Sequence, residues 1–258
     1  MEMKWLPATA GLVMCLMFLL LPSATAAPLG DGRLPGTTDA MLKADFWLAK
    51  LTAPRQLILD PAGIGSFNQA IVQALPRVVV DLDSFPDTLS RSNLRQWLAA
   101  DRLTRGEERY SGGTLLTSGF YDQLEQNMNL HAIRELNPVS WGFVVRRSDL
   151  RTFPTDAAAS EDDESDEFDL FQETAVNIAE PVAVLHRSTD GKWIFVQLVN
   201  YRGWLRTEDV ALAVDRQTWQ ARRSLPFLVI TGTKVAPRDT VMGKPVAEWR
   251  AGMGAKLP

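Results

Sequence analysis

The sequence is poor in cysteine and histidine, the side chains that most often act together as nucleophile and base. Its 258 residues include one cysteine, Cys15, and two histidines, His131 and His186. Cys15 lies in an apolar run near the N-terminus that we expect to be removed from the mature chain. The mature protein is therefore predicted to have no disulfide, no thiolate nucleophile and no thiolate metal site.

Basic charge is also scarce. The chain has 27 lysines and arginines against 31 aspartates and glutamates, a net charge of −4. A nucleic-acid partner would favour a basic patch, so we predict no such partner. Gly243-Lys244 is not part of a phosphate-binding loop, because Arg238 stands where that motif requires a glycine. We predict no cofactor.

Acidic residues, by contrast, are concentrated in one place. The run from Glu161 to Asp169 holds seven acids in nine residues. It lacks the glycine and the closing glutamate of a calcium-binding loop, so we predict no metal site. Such a run cannot bury itself, and the low-complexity stretch 157–169 is predicted to be a solvated loop.

A long hydrophobic run is found only at the N-terminus. Lys4 precedes an apolar run from Leu12 to Leu21, and Ser23 to Ala26 supplies the small residues of a cleavage site. This order is typical of a secretory signal peptide that is cut after Ala26. The run is shorter than the roughly 20 residues that span a bilayer, although an uncleaved anchor is the alternative. We predict a signal peptide at 1–26, export to the periplasm or cell envelope, and no transmembrane span after cleavage.

The first part of the mature chain has a helical pattern. Residues 27–38 are rich in Gly, Pro and Thr and predict a linker. Region 39–137 contains segments in which apolar residues recur at helical spacing. We predict a mostly helical N-terminal region there, with helices beginning near Met41, Asn68, Ser92 and Tyr121.

From residue 138 the pattern changes to that of strands. Apolar and other residues alternate from Trp141 to Val145, and Pro181–Leu185 and Trp193–Val199 flank a turn at Ser188–Gly191. Such a pair of strands is typical of a hairpin. Short strands, tight turns and one helical turn near Thr207 favour an SH3-like barrel over 138–214, although any small antiparallel barrel or sandwich would give the same pattern.

A last segment covers residues 219–258. Phe227 to Thr231 predicts a strand, but the segment is too short to close a small barrel. An unfinished barrel leaves strand edges open. Either this segment packs on the preceding barrel, or it is the start of a second, incomplete SH3-like barrel, which we favour.

Several pieces of the strand-rich region resemble a known family. They are the stretch Trp141–Thr155, then Phe168-Asp169 with Gln172, Glu180-Pro181-Val182, His186–Trp193 and Gly203-Trp204. Together they resemble the first bacterial SH3 domain (SH3b1 type) of NlpC/p60-family cell-wall cysteine peptidases. Residues 110–131 are similar to the end of the helical clip of that family, and 225–258 to the start of its second barrel.

The resemblance implies a mainly β SH3-like barrel, plus the start of a second, preceded by a mostly helical clip. The family cleaves peptidoglycan stem peptides next to D-glutamate with a Cys–His pair in a papain-like final domain. This sequence ends before that domain, so the resemblance carries over no catalytic residue. It implies an exported region that binds and positions peptidoglycan stem peptides, with the catalytic peptidase domain as its missing partner.

Aromatic residues gather in the predicted barrel. Alternation favours a core position for Trp193 and Trp204. SH3-type barrels use other aromatic residues, with polar loop residues, to hold extended peptides. As ligand-binding candidates we select Phe153 and Tyr201, and beside them Asp169 and Gln172, which match the family pattern.

Other functional classes have less support. Ser118-Gly119 lacks the glycine at 116 that a nucleophile elbow requires, and His186 is predicted to have a surface or packing role beside a turn. An enzyme that uses carboxylates would need a pair that nothing in the sequence singles out. The remaining alternative is an envelope scaffold, or protein-interaction module, that uses its SH3-like barrel.

Overall fold

A computed structural model describes residues 34–76, 78–100, 108–164, 168–235 and 251–257. The predicted signal peptide with Cys15, most of the predicted linker, and residues 236–250 with Arg238 and Gly243-Lys244 lie outside the described residues. The chain divides into two compact units, Met1–Asp60 and Pro61–Pro258. The predicted boundary between regions 39–137 and 138–214 falls inside the second unit and stays a prediction.

The described part of the first unit contains a 3-10 helix, Asp39–Leu42, and a short helix α1, Ala44–Leu48. The Trp47 indole Nε1 donates to the carbonyl of Met41 at 2.7 Å. The Lys50 ammonium lies 4.4 Å from the centre of the Phe46 ring. These local contacts agree with the helical spacing predicted from Met41.

Three helices precede or flank the strands of the second unit: α2 (Pro61–Ala74), α3 (Arg91–Ala100) and α4 (Ser118–Asn127). Helix α2 begins earlier than predicted, because proline suits the first helical turn and its glycines hid the helical pattern. Helix α4 is capped by Thr117, whose hydroxyl accepts from the Phe120 N–H at 3.4 Å. A 3-10 helix, Leu130–Ala132, follows it.

Seven strands form one antiparallel sheet in the order β11-β5-β8-β9-β10-β6-β7. Their bounds are β5 Ser140–Val144, β6 Ser148–Arg151, β7 Gln172–Val176, β8 Pro181–Arg187, β9 Trp193–Gln197, β10 Arg202–Arg206 and β11 Val210–Leu212. The predicted hairpin is β8–β9, and the predicted helical turn is a 3-10 helix, Thr207–Asp209. The sheet is open among the described residues, since β11 and β7 form its two ends, so the predicted closed barrel is not seen there.

Short strands pair outside the large sheet. They are β1 (Thr88–Ser90) with β4 (Leu136–Pro138), β2 (Tyr110–Ser111) with β3 (Thr114–Leu115), β12 (Leu228–Val229) with β15 (Lys256–Leu257), and β13 (Lys234–Val235) with β14 (Ala251–Gly252). The last two pairs lie in the segment predicted to start a second barrel, and that assignment stays a prediction.

Strand β9 separates two hydrophobic cores, because successive side chains point to opposite faces. Trp193 and Phe195 join a core that includes Leu94 and Leu98 of α3, whereas Ile194 and Val196 join a core of strand residues. Residues of α3 and α4 therefore pack on one face of the sheet, and the core on the other face is formed by residues of the sheet itself. The predicted core positions of Trp193 and Trp204 are confirmed.

The chain after β11 enters helix α5, Arg216–Arg223, which the sequence did not predict. Asp215 caps it by accepting from the Thr218 N–H at 2.7 Å. Trp219 is fully buried, and its indole Nε1 donates to the carbonyl of Gly142 in β5 at 2.9 Å. Trp219 thus packs in the same core as residues of the large sheet.

Candidate functional site

An aromatic cluster joins helix α4 to the end of the sheet. It consists of Phe120 and Tyr121 from α4, Phe153 just after β6, and Phe171 just before β7. The Phe153 and Phe171 ring centres are 5.1 Å apart, and that of Tyr121 is 6.4 Å from Phe153. Edge-to-face packing at such distances stabilises buried aromatic pairs. The cluster fixes the chain on both sides of the predicted acidic loop.

Phe153 was selected as a possible ligand contact, but its side chain is only 4% exposed. Tyr121 and Phe171 cover its ring because the chain turns inward after β6. Phe153 therefore does not present its ring on the surface. Its contribution to a binding site in this structure would be to support the residues around it.

Tyr121 is the member of the cluster that combines an aromatic ring with a polar tip at a half-buried position. Burial raises the pKa of its hydroxyl, and the nearby Arg109 charge partly opposes that increase. Among the described residues, the Tyr121 hydroxyl has no hydrogen-bond partner. The hydroxyl stays protonated at neutral pH and is able to donate to or accept from a ligand.

Asp169 lies at the base of the acidic loop and is largely enclosed. Its Oδ2 pairs with Nη1 of Arg151 at 2.7 Å. Its Oδ1 accepts from the backbone N–H groups of Ala159, at 3.0 Å, and Phe171, at 2.9 Å. Both carboxylate oxygens are thus occupied by the protein itself.

Gln172 is exposed at the start of β7, the end strand of the sheet. Its Nε2 donates to Oδ1 of Asp149 in the neighbouring β6 at 3.1 Å. The next residue, Glu173, accepts from the Thr152 hydroxyl at 2.6 Å. The two strands therefore carry a row of exposed carboxylate and amide groups beside the aromatic cluster.

Tyr201 lies in the turn between β9 and β10, and 39% of its surface is exposed. Its backbone carbonyl accepts from Leu198 N–H at 2.8 Å and from Gln197 Nε2 at 3.1 Å. No hydrogen bond or ring contact within the described residues links it to Phe153, Asp169 or Gln172. The four candidates thus separate into a group of three and Tyr201 alone.

His186 has a packing role, one of the two roles that the sequence left open. Its Nε2 lies 3.1 Å from the carbonyl oxygens of Met128 and Asn129, and its ring faces Trp204. Burial lowers the pKa of the imidazole, although the two backbone contacts oppose that shift. The neutral ring therefore holds the end of α4 against β8.

The described residues show neither a metal centre nor a membrane helix. Within the described ranges, no group of three or more His, Cys, Asp or Glu side chains could hold a metal ion. None of the helices there combines the length and apolar character that crossing a bilayer requires.

The sequence had given little indication of three neighbours of the candidate residues. Tyr121 was predicted to begin a helix, and Asp149 and Arg151 were noted only as part of the stretch Trp141–Thr155 that resembles the SH3 family. Only the pairing of β6 with β7, and the packing of α4 on their ends, brings these residues together. Such contacts link residues that are distant in sequence, so no local sequence pattern predicts them.

Comparison with known proteins found a solved structure with a similar fold. No curated protein matches the chain. The chain is similar in structure to an NlpC/P60 endopeptidase from Photobacterium damselae subsp. piscicida, with a TM-score of 0.58 and 21% sequence identity. The similarity covers 78% of this chain and 47% of that chain, so the chain spans about half the length of the endopeptidase.

The sequence resemblance is confirmed for the first SH3 region. The family model of the SH3 domain of the SH3b1 type matches residues 157–206. This stretch includes Asp169, Gln172 and Tyr201, and it runs from the acidic loop to the end of β10. The chain therefore contains an SH3 domain of the SH3b1 type, within a fold that is similar to part of an NlpC/P60 endopeptidase.

Proposed function

We propose that this chain is an exported region of an NlpC/P60-type cell-wall endopeptidase that binds peptidoglycan stem peptides and positions them for a peptidase domain. The observation that carries the proposal is the SH3b1-type match over residues 157–206. The fold similarity to an NlpC/P60 endopeptidase supports it. This function assigns the chain to the cell envelope and to a non-catalytic role.

The surface beside the aromatic cluster is the proposed binding surface. It comprises Tyr121, Asp149, Gln172 and the exposed Phe168, whose surface is 74% accessible. Phe171 links these residues, since its ring packs on Tyr121 and the next residue is Gln172. An extended peptide needs apolar contact together with hydrogen-bond donors and acceptors, and this surface offers both. Tyr201 is a second, separate candidate contact.

The chemistry of the described residues favours binding over catalysis. A papain-like mechanism needs a cysteine thiolate beside a histidine base. The only cysteine of the sequence is Cys15, in the predicted signal peptide. His186 uses its Nε2 to contact backbone carbonyls, so this nitrogen is not directed at a substrate.

Retention on isolated peptidoglycan sacculi tests the proposal. We expect purified residues 27–258 to sediment with sacculi and to be released by soluble stem peptide. Gln172→Ala is expected to weaken retention about tenfold, because a lost hydrogen bond to a ligand costs about 1 kcal/mol or more. Gln217→Ala, at an exposed glutamine of α5, is the matched control and should bind as the unmodified chain does.

Three results would contradict parts of this proposal. A chain that stays in the supernatant at every protein concentration excludes stem-peptide binding. Hydrolysis of the sacculi by the purified chain excludes the non-catalytic role. Normal retention of both Tyr201→Ala and Gln172→Ala shows that the binding surface lies elsewhere.

A scaffold that binds another envelope protein is the alternative function, and helix α2 favours it. The helix has no charged residue, and Ile64 and Phe67 are about half exposed, as is Leu75 just after it. Their spacing places them along one side of a helix. An exposed apolar stripe is typical of a protein-interaction surface. A scaffold would not be retained by sacculi that have been stripped of protein, which separates the two functions.

A further inference from the structure

The acidic insertion has a closed base, which we call the neck. It is formed by residues 157–160 on the outgoing side and 169–171 on the returning side. The Leu170 N–H donates to the Ala159 carbonyl at 2.7 Å, and the Asp169 carboxylate accepts from the N–H groups of Ala159 and Phe171. One carboxylate thereby joins the two sides of the neck.

Arg151 fastens the neck to the sheet. Its Nη1 pairs with Asp169 at 2.7 Å, and its Nη2 donates to the Ala157 carbonyl at 2.6 Å. Arg151 thus reaches both sides of the neck from the last residue of β6. The side chains of Arg151 and Asp169 are only 8% and 18% exposed. An ion pair so enclosed is screened little by salt, and the loss of one partner leaves the other charge unpaired.

The neck has to resist a force that tends to open it. The insertion concentrates seven acids between Glu161 and Asp169, and like charges so close together repel one another. The described acids Glu161 to Glu164 are exposed. The Arg151 guanidinium supplies the opposite charge at a point where the two sides of the loop meet.

We infer that Asp169 is a positioning residue, and that the buried Arg151–Asp169 pair closes the neck so as to hold the surface formed by Tyr121 and Gln172. This inference rests on the proposed function. The pair fixes the backbone at Phe171, which directs the Phe171 ring into the aromatic cluster and leaves Gln172 on the outside. Asp169 therefore acts on a bound peptide through its neighbours and not by touching the peptide.

Hydrogen exchange and sacculus binding together test this inference on the chain 27–258. Asp169→Asn removes the charge at nearly constant shape, and Asp163→Asn makes the same charge change on the exposed part of the insertion. We expect Asp169→Asn to speed amide exchange at least tenfold across 157–172, to leave β8 and β9 unchanged, and to weaken sacculus retention about tenfold. Asp163→Asn should leave exchange in the neck and retention unchanged.

If Asp169→Asn unfolds, a conservative replacement of Arg151 provides a second test of the same inference. Arg151→Lys retains the charge opposite Asp169 but cannot reach both Asp169 and Ala157 with separate nitrogens. It should speed amide exchange in the neck relative to the unmodified chain, by less than tenfold. Retention on sacculi should weaken, also by less than tenfold.

Two outcomes overturn the inference. Unchanged exchange across 157–172 in Asp169→Asn means that the pair does not close the neck. Faster exchange with full sacculus retention means that the neck is structural only and positions no ligand contact. If the unmodified chain itself fails to bind sacculi, the proposed function and the positioning role both fail, whereas the exchange data still decide whether the pair closes the neck.

Discussion

At the scale of the single residue, Ala179 holds a backbone conformation that residues with a Cβ seldom adopt. Its φ is 64°, and its N–H donates to the Val144 carbonyl at 2.7 Å. We expect Ala179→Gly to raise the free energy of unfolding by roughly 0.5 to 1 kcal/mol, since relief of strain exceeds the added entropy of the unfolded chain. Urea unfolding of the two proteins measures this difference.

Ala175 provides the control for that change. It lies in strand β7, where the backbone is extended and glycine brings no relief. Ala175→Gly should therefore lower the free energy of unfolding, by about 0.5 to 1 kcal/mol. If both substitutions lower it equally, the left-handed conformation at Ala179 carries no strain.

His186 predicts how stability depends on pH. Burial lowers the pKa of its imidazole below the ordinary value of 6.5, so the unfolded chain binds a proton more readily than the folded one. Above about pH 6.5 the imidazole is mostly neutral in both states, and the free energy of unfolding is not reduced by its protonation. As the pH falls below that value the free energy of unfolding decreases, by at most about 1.4 kcal/mol per pH unit. Urea unfolding at pH 7.5 and 5.5 should show a smaller acid loss in His186→Gln.

The comparison between the two proteins removes the effect of other titrating groups. Carboxylates contribute to acid destabilisation in both, whereas only the unmodified chain has the imidazole at 186. An equal loss between pH 7.5 and 5.5 in the two proteins would show that His186 does not titrate differently in the folded and unfolded states.

At the scale of the element, Gly142 of strand β5 lies in close contact with both strand β11 and helix α5. A Cβ at Gly142 would lie 2.7 Å from the carbonyl oxygen of Ala211 in β11. The carbonyl of Gly142 also accepts from Trp219 of α5. We expect Gly142→Ala to push β11 and α5 away from β5 and to lower the free energy of unfolding by about 1 to 3 kcal/mol.

Gly119 is the matched control, because it lies in helix α4 with room for a Cβ. The nearest atom would be the Thr117 hydroxyl oxygen at 3.7 Å. Gly119→Ala should raise the free energy of unfolding by up to about 1 kcal/mol, since alanine favours the helix. Thermal unfolding followed by circular dichroism distinguishes the two glycines. A stable Gly142→Ala protein would mean that β11 can move without loss.

At the scale of the whole molecule, the acidic insertion is expected to be separable from the fold. The described acids Glu161–Glu164 are exposed, whereas Ala159 in the neck is only 1% exposed. Replacing Glu161–Glu164 with Gly-Ser-Gly-Ser should change the free energy of unfolding by no more than about 0.5 kcal/mol. Ala159→Asp should lower it by several times that amount, because an unpaired charge is buried.

Denaturant unfolding of both proteins checks this contrast. A large loss on replacing the four acids would show that the insertion contributes to the core. Sacculus retention of the Gly-Ser protein tests whether the replaced acids take part in binding. Retention should persist, because the proposed contacts lie outside the replaced residues.

Local patterns in the sequence determined much of the secondary structure. Period-2 alternation predicted β5, β8 and β9, and the placement of Trp193 and Trp204 in the core is confirmed. The pieces of resemblance between Trp141 and Trp204 also identified the SH3b1-type domain. These features are local, because each depends on residues within a few positions of one another.

The tertiary structure decided which elements meet. Alternation shows that a strand face is buried but not what covers it, so Phe153 was selected as a ligand contact although Tyr121 and Phe171 enclose it. Asp169 was recognised as a candidate, but its partner Arg151 was not. The open order of the sheet and the docking of Trp219 on Gly142 likewise join distant parts of the chain.

The sequence by itself thus determined strands β5, β8 and β9, the SH3b1-type domain and two of the core tryptophans. Only the tertiary structure decided that Asp169 contacts both sides of the neck, that Phe153 is buried, and that Tyr201, among the described residues, makes no hydrogen bond or ring contact with the other candidates. The physical reason is that packing and ion pairing depend on distances in space, and residues such as Tyr121 and Phe171 come together only when the chain has folded.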